Sequence, residues 1–502
     1  MPPAADAITG FDGGANLRDA INQLGRNEAR SLLNMILDER GGASKRLGSE
    51  KLSEVGVAAD RIISLYPFYR GDDPVQLLAE TDAGKLYYTT DLIAWTEITT
   101  GLDTTNPMTF ETFNSKVYMV NGVDDYAWWD GATFSTDAAL PKGKFIRLWK
   151  DTMWVSGVTG FEDRVYSSDP ANAESYPALG FVDVAKGDGD RVSALDSDGT
   201  FLIVPKFNRA WVIYDPVTYA NRLFDFEKGA ESHFSFIHHE GDIFYLSRKG
   251  FCRFLGDSPS ELISDKIDPL FVGDVLNIDK LNLAWGYVHE NRVGWSLPEV
   301  SELAPTLQVE YYPRLERKPW AFHRMPARCF ARWRKAEDDI VVFGDTGDNS
   351  LDQAFASVGQ DNGTTFNGII ELGFLDMQNP LTHKYLKRLR VLARGKFLVG
   401  VKRDFENAVI KTYSIDLTGD TDLWDPADTW DAADLWGPTA WIKEQLVNVD
   451  HHGRFFSLRF SDAETTTGTK PFDVGDREYL LTRGQWAVFG TIFEGEMLGV
   501  RS

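Results

Sequence analysis

Asp242-Ile-Phe-Tyr-Leu sets the reading of the whole chain: a turn residue followed by a run of β-branched and aromatic residues. The pattern returns at Lys85-Leu-Tyr-Tyr-Thr, Lys116-Val-Tyr-Met-Val, Asp151-Thr-Met-Trp-Val, Thr200-Phe-Leu-Ile-Val, Arg292-Val-Gly-Trp-Ser and Asp339-Ile-Val-Val-Phe. Such side chains fit a pleated, half-buried surface, and the flanking Gly, Asp, Asn and Pro residues close each run into a short strand. The mean spacing is roughly 42 residues, the period of a propeller blade. Several copies lead into a second strand and a polar turn, as in Tyr126-Ala-Trp-Trp-Asp-Gly and Arg209-Ala-Trp-Val-Ile-Tyr-Asp, so each unit reads as a hairpin within a larger sheet. A single sheet of this kind cannot bury both faces, which is why blades pack radially and close into a ring. The seven copies predict an all-β fold, a β-propeller of about seven blades. Their spacing varies from about 31 to 50 residues, without a Trp-Asp or Gly-His signature at fixed offsets, so a WD40 array is not indicated. A β-sandwich array with coincidental hairpin spacing is the competing architecture.

Composition agrees with many short strands joined by tight turns: 13% of the 502 residues are aromatic and 44 are Gly. With 43% hydrophobic residues the chain can bury a large core. A formal net charge of -23 repels phosphates at long range and argues against a nucleic-acid-coating surface. The opening Met1-Pro-Pro-Ala-Ala-Asp has neither a basic nor an apolar leader segment, and no apolar run is long enough for a transmembrane helix. The expectation is a chain neither exported by a standard signal nor inserted in a membrane.

Texture divides the chain into three. Residues 1–58, rich in Arg, Asp, Asn, Gly and Leu, are expected to form an N-terminal extended arm, with Asn27-Glu-Ala-Arg-Ser-Leu-Leu-Asn-Met-Ile-Leu-Asp as one possible short helix. Residues 59–355 carry the propeller repeat. Residues 356–502 are expected to form a C-terminal β-sandwich, from strands such as Leu386-Lys-Arg-Leu-Arg-Val-Leu-Ala-Arg-Gly and Arg454-Phe-Phe-Ser-Leu-Arg-Phe-Ser. Between them lies an acidic loop in which Trp424, Trp430, Trp436 and Trp441 recur every five or six residues.

Several segments resemble the β-propeller tail and head-completion structural proteins of tailed bacteriophages. They are Phe11-Asp-Gly-Gly-Ala-Asn-Leu-Arg-Asp, Asn27-Glu-Ala-Arg, Leu33-Asn and Leu37-Asp-Glu-Arg-Gly-Gly-Ala-Ser-Lys-Arg-Leu-Gly, with Ser258-Pro-Ser-Glu-Leu-Ile-Ser-Asp-Lys-Ile-Asp, Gly344-Asp-Thr-Gly-Asp and the Trp424 loop. The resemblance implies a virion structural protein, made in the host cytoplasm. It would form a homo-oligomeric ring or tube segment (tail nozzle, hub or head-closure) that retains and conducts packaged DNA. Its partners would be further copies of itself, portal, adaptor and tail proteins, and phage DNA in transient non-specific contact. An acidic lumen would let DNA slide without sticking. An N-terminal arm could order on a neighbouring subunit.

The chemistry-bearing residues fit structural roles better than catalytic ones. Thr89-Thr-Asp-Leu-Ile-Ala-Trp95 is only a broken copy of the Asp-box turn of propeller glycosidases, lacking the Gly and one residue short. His238-His239 and His451-His452 invite a metal, but strand neighbours point to opposite faces. Asp420, Asp422, Asp425, Asp428 and Asp431 could attract Ca²⁺, yet they lack EF-hand spacing. Cys252 and Cys329 stand apart with no metal-ligand spacing and read as buried thiols. The Trp424 to Trp441 series could stack on sugars or bases, but packing within the protein is the commoner use.

Basic residues cluster at Arg314-Leu-Glu-Arg-Lys, Arg324 to Lys335 and Lys384 to Arg390. Alternation there places Lys387 and Arg388 on opposite strand faces, as a solvated surface or a subunit contact. No phosphate loop, nucleophile elbow or dinucleotide fingerprint occurs. The sequence thus nominates no catalytic, cofactor-binding or metal residue and no cofactor, and points to a non-enzyme. A tail adhesin that binds host receptors and a hydrolase of envelope polysaccharide are the alternatives.

Overall fold

The structure is a computed structural model that describes residues 3–71, 74–273, 275–300, 302–335, 338–377, 379–417, 443–462 and 487–497. The chain divides into two compact units. One comprises 49–309 and 325–356, and the other gathers 1–48, 310–324 and 357–502.

The first unit is a β-propeller. Five four-stranded antiparallel sheets follow one another within residues 62–100, 109–137, 145–183, 196–225 and 237–262. A sixth sheet joins Ala327–Lys335, Asp338–Asp345 and Ser350–Ala356, and takes Gly48–Glu54 as its next strand. That strand comes from the beginning of the propeller and pairs with its end, so the ring is clasped by hydrogen bonds between distant parts of the chain. At the clasp the Asn349 amide donates to Val55 O at 3.0 Å, and Val55 N–H donates to Asn349 O at 2.9 Å. Strands Trp285–His289 and Arg292–Leu297 form a further hairpin between the fifth and sixth sheets, where Trp295 Nε1–H donates to Ser235 O at 2.8 Å and Trp285 Nε1–H to Phe330 O at 2.9 Å.

Each repeated run of the sequence lies on a strand, and in all but the first sheet it is the second strand from the channel. These strands are buried on both faces because each blade is covered by a neighbour on either side. Gln76–Thr81, Leu202–Pro205 and Arg292–Leu297 are buried at every position. Alternation therefore distributes side chains between two interfaces instead of between core and solvent. Val117 and Met119 pack with Leu78 and Leu86 of the first blade, whereas Tyr118 and Val120 pack with Ile146 and Val155 of the third. Leu202 and Val204 meet Trp154 on one side, and Ile203 meets Ile243 and Tyr245 on the other. Outer strands such as Thr96–Thr100 have no buried residue. In the first blade the sequence pattern fell on Lys85–Thr89, the third strand, while the equivalent second strand is Gln76–Thr81.

Aspartates build the turns. Asp130 Oδ1 accepts the N–H groups of Ala132 and Thr133 at 2.8 and 2.7 Å, and Asp198 Oδ1 those of Thr200 and Phe201 at 2.8 and 2.6 Å. Asp215 and Asp225 repeat the arrangement. At the broken Asp-box, Asp91 Oδ1 accepts from Ile93 and Ala94, both at 2.9 Å, so the turn keeps its aspartate function without the glycine. Short carboxylate side chains substitute for backbone acceptors in tight turns, and this use accounts for part of the acidic composition.

The second unit overturns the expectation of an extended arm over 1–58. Glu28–Leu33 pairs antiparallel with Ile369–Leu372, and Met35–Leu37 pairs with Ala43–Lys45, which in turn pairs with Ala487–Met497. Ala29, Leu32, Leu33, Met35 and Leu37 are buried there, and that burial is why the Asn27 to Asp38 stretch forms strands and not the possible helix. Asn34, at φ 55°, turns the chain between them. Residues 49–54 are likewise no arm, since they complete the sixth propeller sheet.

The 20-residue strand Lys384–Arg403 organises the C-terminal part. Its first half pairs with Lys443–Gly453 and Ala487–Met497, its second half with Lys411–Leu417 and Phe456–Asp462. A register shift between Leu386 and Arg388 leaves both Lys387 and Arg388 exposed. The predicted opposite facing of that pair fails because a bulge inserts an extra residue, which breaks simple alternation.

Candidate functional site

The innermost strands of the propeller line a central channel, and four of them contribute to one network of charge. Glu111, Arg147, Asp196 and His238 sit on the strands Thr109–Phe113, Phe145–Trp149, Asp196–Ser197 and Ile237–His239. Arg147 lies 3.3 Å from Glu111 Oε2 and 2.7 Å from Asp196 Oδ1. His238 Nε2 lies 2.8 Å from Asp196 Oδ2 and 3.2 Å from Arg147 Nη2. On the first blade Tyr66 Oη shares a hydrogen bond with Thr112 Oγ1 at 2.9 Å.

Burial pushes the Glu111 carboxyl upward against the pull of Arg147. For Asp196 burial also pushes upward, but Arg147 and His238 outweigh it and hold the carboxyl below its usual range. Burial opposes the charge on Arg147, yet Asp196 and Glu111 outweigh that and raise its pKa. One guanidinium thus bridges two carboxylates, a closed arrangement that ties neighbouring blades together and leaves neither carboxylate as an isolated acid or base.

One rim of the channel opens into a cavity of about 300 Å³. Its walls come from the segments that precede the innermost strands of successive blades and from the ends of their second strands. They include Asn121, Lys144, Arg191, Glu231 and His233. A second, more open cavity of about 670 Å³ shares Glu162, Arg191 and Phe207 with the first and adds Arg248. Leu195 N–H donates to His233 Nδ1 at 3.4 Å, which leaves the imidazole proton on Nε2. Burial, with the charge of Arg147, pushes His233 down to about 4, so the ring is neutral at pH 7.

The residues singled out in sequence scatter. His238 joins the channel network, whereas His239 has Glu240 at 3.7 Å. His452 stacks on Tyr385, and burial with the charges of Lys411 and Arg403 pushes His451 down. Among the described residues no group of three or more His, Cys, Asp or Glu is arranged to hold a metal. Cys252 and Cys329 are free and buried, and burial pushes both thiols up to about 12. Basic residues are largely engaged: Arg317 pairs with Asp12, Arg332 and Arg334 with Asp339, and Arg390 with Glu444. Lys384 Nζ donates to three carbonyls. The acidic loop from Asp420 to Asp431 and the Trp424 to Trp441 series lie outside the described residues.

Sequence reasoning missed Glu111, Arg147 and Asp196. Each lies four to six residues ahead of a second strand, as His238 does, and a polar residue at that offset in successive repeats was the available signal.

No family model matches the chain, and no curated protein matches it. Among solved structures, BBS1N in complex with ARL6DN is similar over 62% of this chain and 97% of its own, at 10% identity and a TM-score of 0.42. YCF48 from Cyanidioschyzon merolae is similar over 61% of this chain and 98% of its own, at 10% identity and a TM-score of 0.41. The computationally designed Ika8 protein is similar over 61% of this chain and all of its own, at 8% identity and a TM-score of 0.35.

Proposed function

We propose that this chain is a non-enzymatic virion structural protein of a tailed bacteriophage, assembled with copies of itself into a ring or tube segment of the tail or head-tail junction. Portal, adaptor and tail proteins would be its neighbours, and packaged DNA would pass in transient contact. The observation that carries the reading is where the phage-like segments of the sequence fall. Phe11, 1% exposed, meets Phe460 edge-on, and Arg46, fully buried, reaches Asp361 at 2.8 Å. The resemblance therefore rests on residues that build the architecture, and not on a solvated tail. The mutually paired charges of the channel network support a scaffold in preference to a hydrolase.

Two finer features of architecture belong to this proposal. The hairpin of Trp285–His289 and Arg292–Leu297, with Leu307–Tyr311 beside it, serves as a blade, which brings the propeller to seven. The strands around Lys384–Arg403 act as a β-sandwich, the long strand passing from one sheet to the other. A tail adhesin is the second reading, favoured by the rim cavity, whose lining carries Lys144, Arg191, Glu162 and Glu231.

Immunogold electron microscopy of purified virions with antibody to this chain tests the assignment. Label at the axial tail or portal junction supports a conduit, and label on peripheral fibres supports the adhesin. Virions that carry none of the chain overturn the virion reading.

A further inference from the structure

We infer that Lys206 is a built-in cation: its ammonium fills a cage of oxygens of the kind that holds a divalent metal ion, and so locks the loop from Ala185 to Asp190 with no need of a dissolved metal. The inference stands whether or not the chain is part of a virion.

The cage comes first. Lys206 directly follows Leu202–Pro205, the second strand of the fourth blade, and its side chain is fully buried. Its Nζ donates to Asp163 Oδ1 and Asp188 Oδ1, both at 2.8 Å, and to the carbonyl oxygens of Asp190 and Ala185 at 3.2 and 3.3 Å. Four oxygens thus converge on a group with three N–H donors. A centre surrounded by more acceptors than it has directed donors is the environment of a spherical ion. Carboxylate and backbone carbonyl oxygens are the ligands calcium takes. Two carboxylates face the single ammonium, an excess of negative charge that a divalent ion would balance.

The backbone of the loop is the second observation. Ala185, Gly187 and Gly189 stand at φ 48°, 77° and 79°. A Cβ on either glycine would meet nothing within 4 Å, so both serve the backbone angle and not packing. Ala185 takes the left-handed angle without a glycine's freedom, which carries a steric cost. Residues 186–189 are exposed, so burial of apolar side chains does not hold them in this shape. Polar contacts do. Asp163 Oδ2 accepts Gly187 N–H at 2.9 Å, Asp188 Oδ1 accepts Asp190 N–H at 3.0 Å, and the Asp190 carboxylate takes the N–H groups of Phe207 and Asn208 at 3.1 and 2.9 Å. With the cation removed, Asp163 and Asp188 would face each other unscreened beneath the loop. Asp163 lies on Phe161–Ser167 of the third blade and Lys206 on the fourth, so the same ammonium ties two blades together.

Calcium titration of the full-chain Lys206→Ala variant against the parent tests the assignment. With the ammonium and its stem gone, the cage should take Ca²⁺ at a dissociation constant of about 10⁻⁴–10⁻³ M, as one site more than the parent has. Ca²⁺ should then restore the melting temperature that the substitution lowers, and Mg²⁺ should do so less well because it gives up its waters reluctantly. Adding Asp188→Asn to that variant should abolish the extra site. Lys206→Met keeps the buried stem and its packing but leaves the oxygens without a cation. Trypsin should cut this variant after Lys186 faster than the parent by about tenfold or more, since the loop has lost its charge-assisted bonds and opens more often. A Lys206→Ala variant that binds no more Ca²⁺ than the parent overturns the inference. Cutting of Lys206→Met at the parent's rate overturns it equally, even where Lys206→Ala does not fold.

Discussion

The two units place their buried charge differently, the propeller in its channel network and at Lys206 with Asp163 and Asp188. Propeller blades meet chiefly through apolar side chains: Leu78 against Met119, Tyr118 against Ile146, Trp154 against Leu202. The unit gathered from 1–48, 310–324 and 357–502 places charge in its interior. Lys45 meets Asp462 at 3.1 Å, joining two of its pieces, and Lys402 meets Glu371 at 2.8 Å within one, all with side chains at most 5% exposed. Arg46 lies over the Phe366 ring at 3.7 Å, pairs with Asp361 and donates to Arg324 O at 2.9 Å, joining all three pieces of chain. We interpret the difference through connectivity. Blades adjacent in sequence find each other by proximity, so apolar complementarity suffices. Pieces separated by hundreds of residues have many apolar alternatives, and a buried ion pair tolerates only one register.

The comparison breaks most easily at Arg46. Arg46→Met should destabilise its unit by about 3–5 kcal/mol, because Asp361 loses its guanidinium partner in a largely buried place and Asn34 Oδ1 is left with Arg324 N–H. Urea melting of the full chain followed by two probes, one per unit, would read this. A loss no larger than that of a surface substitution would remove the argument from connectivity.

An apolar truncation is expected to cost somewhat less. Leu78, fully buried between the first two blades, should cost about 3 kcal/mol as Leu78→Ala, through lost transfer energy and the cavity left behind. The same melts should place this loss in the propeller transition alone.

Glu80 is fully buried in the propeller with no ion-pair partner among the described residues, and it sharpens the comparison through pH. Its Oε2 accepts Met108 N–H at 2.7 Å, and burial pushes its pKa from 4.5 up to about 8. The folded chain keeps a proton that the unfolded chain releases. The stability linked to it is full below about pH 4.5 and declines as pH rises to about 8. Glu80→Gln, neutral at every pH, should lose fewer degrees of melting temperature between pH 5 and pH 9 than the parent, by about 2–4 °C.

The smallest effect belongs to the turns. Asp130→Ala removes the acceptor for two backbone N–H groups at an exposed tip, and should lower propeller stability by about 1 kcal/mol in thermal melts. A loss as large as that of Leu78→Ala would mean that turn chemistry, not blade packing, dominates.

Legibility in the sequence follows the same division. The second strands of the blades were readable because burial on both faces makes them continuous apolar runs. In the first blade the third strand, Lys85–Thr89, was apolar enough to be taken instead. The cavity residues Lys144, Arg191 and Glu231 were invisible, since each lies in a different repeat and no spacing connects them. Buried Arg46 and Lys45 resembled a solvated arm, because one sequence position carries no record of a partner at Asp361 or Asp462.

Sequence by itself determined the all-β character, the blade repeat and the turn aspartates, because strand period and turn chemistry are local properties read within a few residues. Only the tertiary structure decided that Gly48–Glu54 closes the propeller, that the N-terminal strands belong with the C-terminal ones, and that Glu111, Arg147, Asp196 and His238 meet between neighbouring blades. These depend on ring closure and long-range pairing. The side chains concerned acquire neighbours only when strands far apart in sequence are brought together, and burial then turns ordinary surface charges into paired ones.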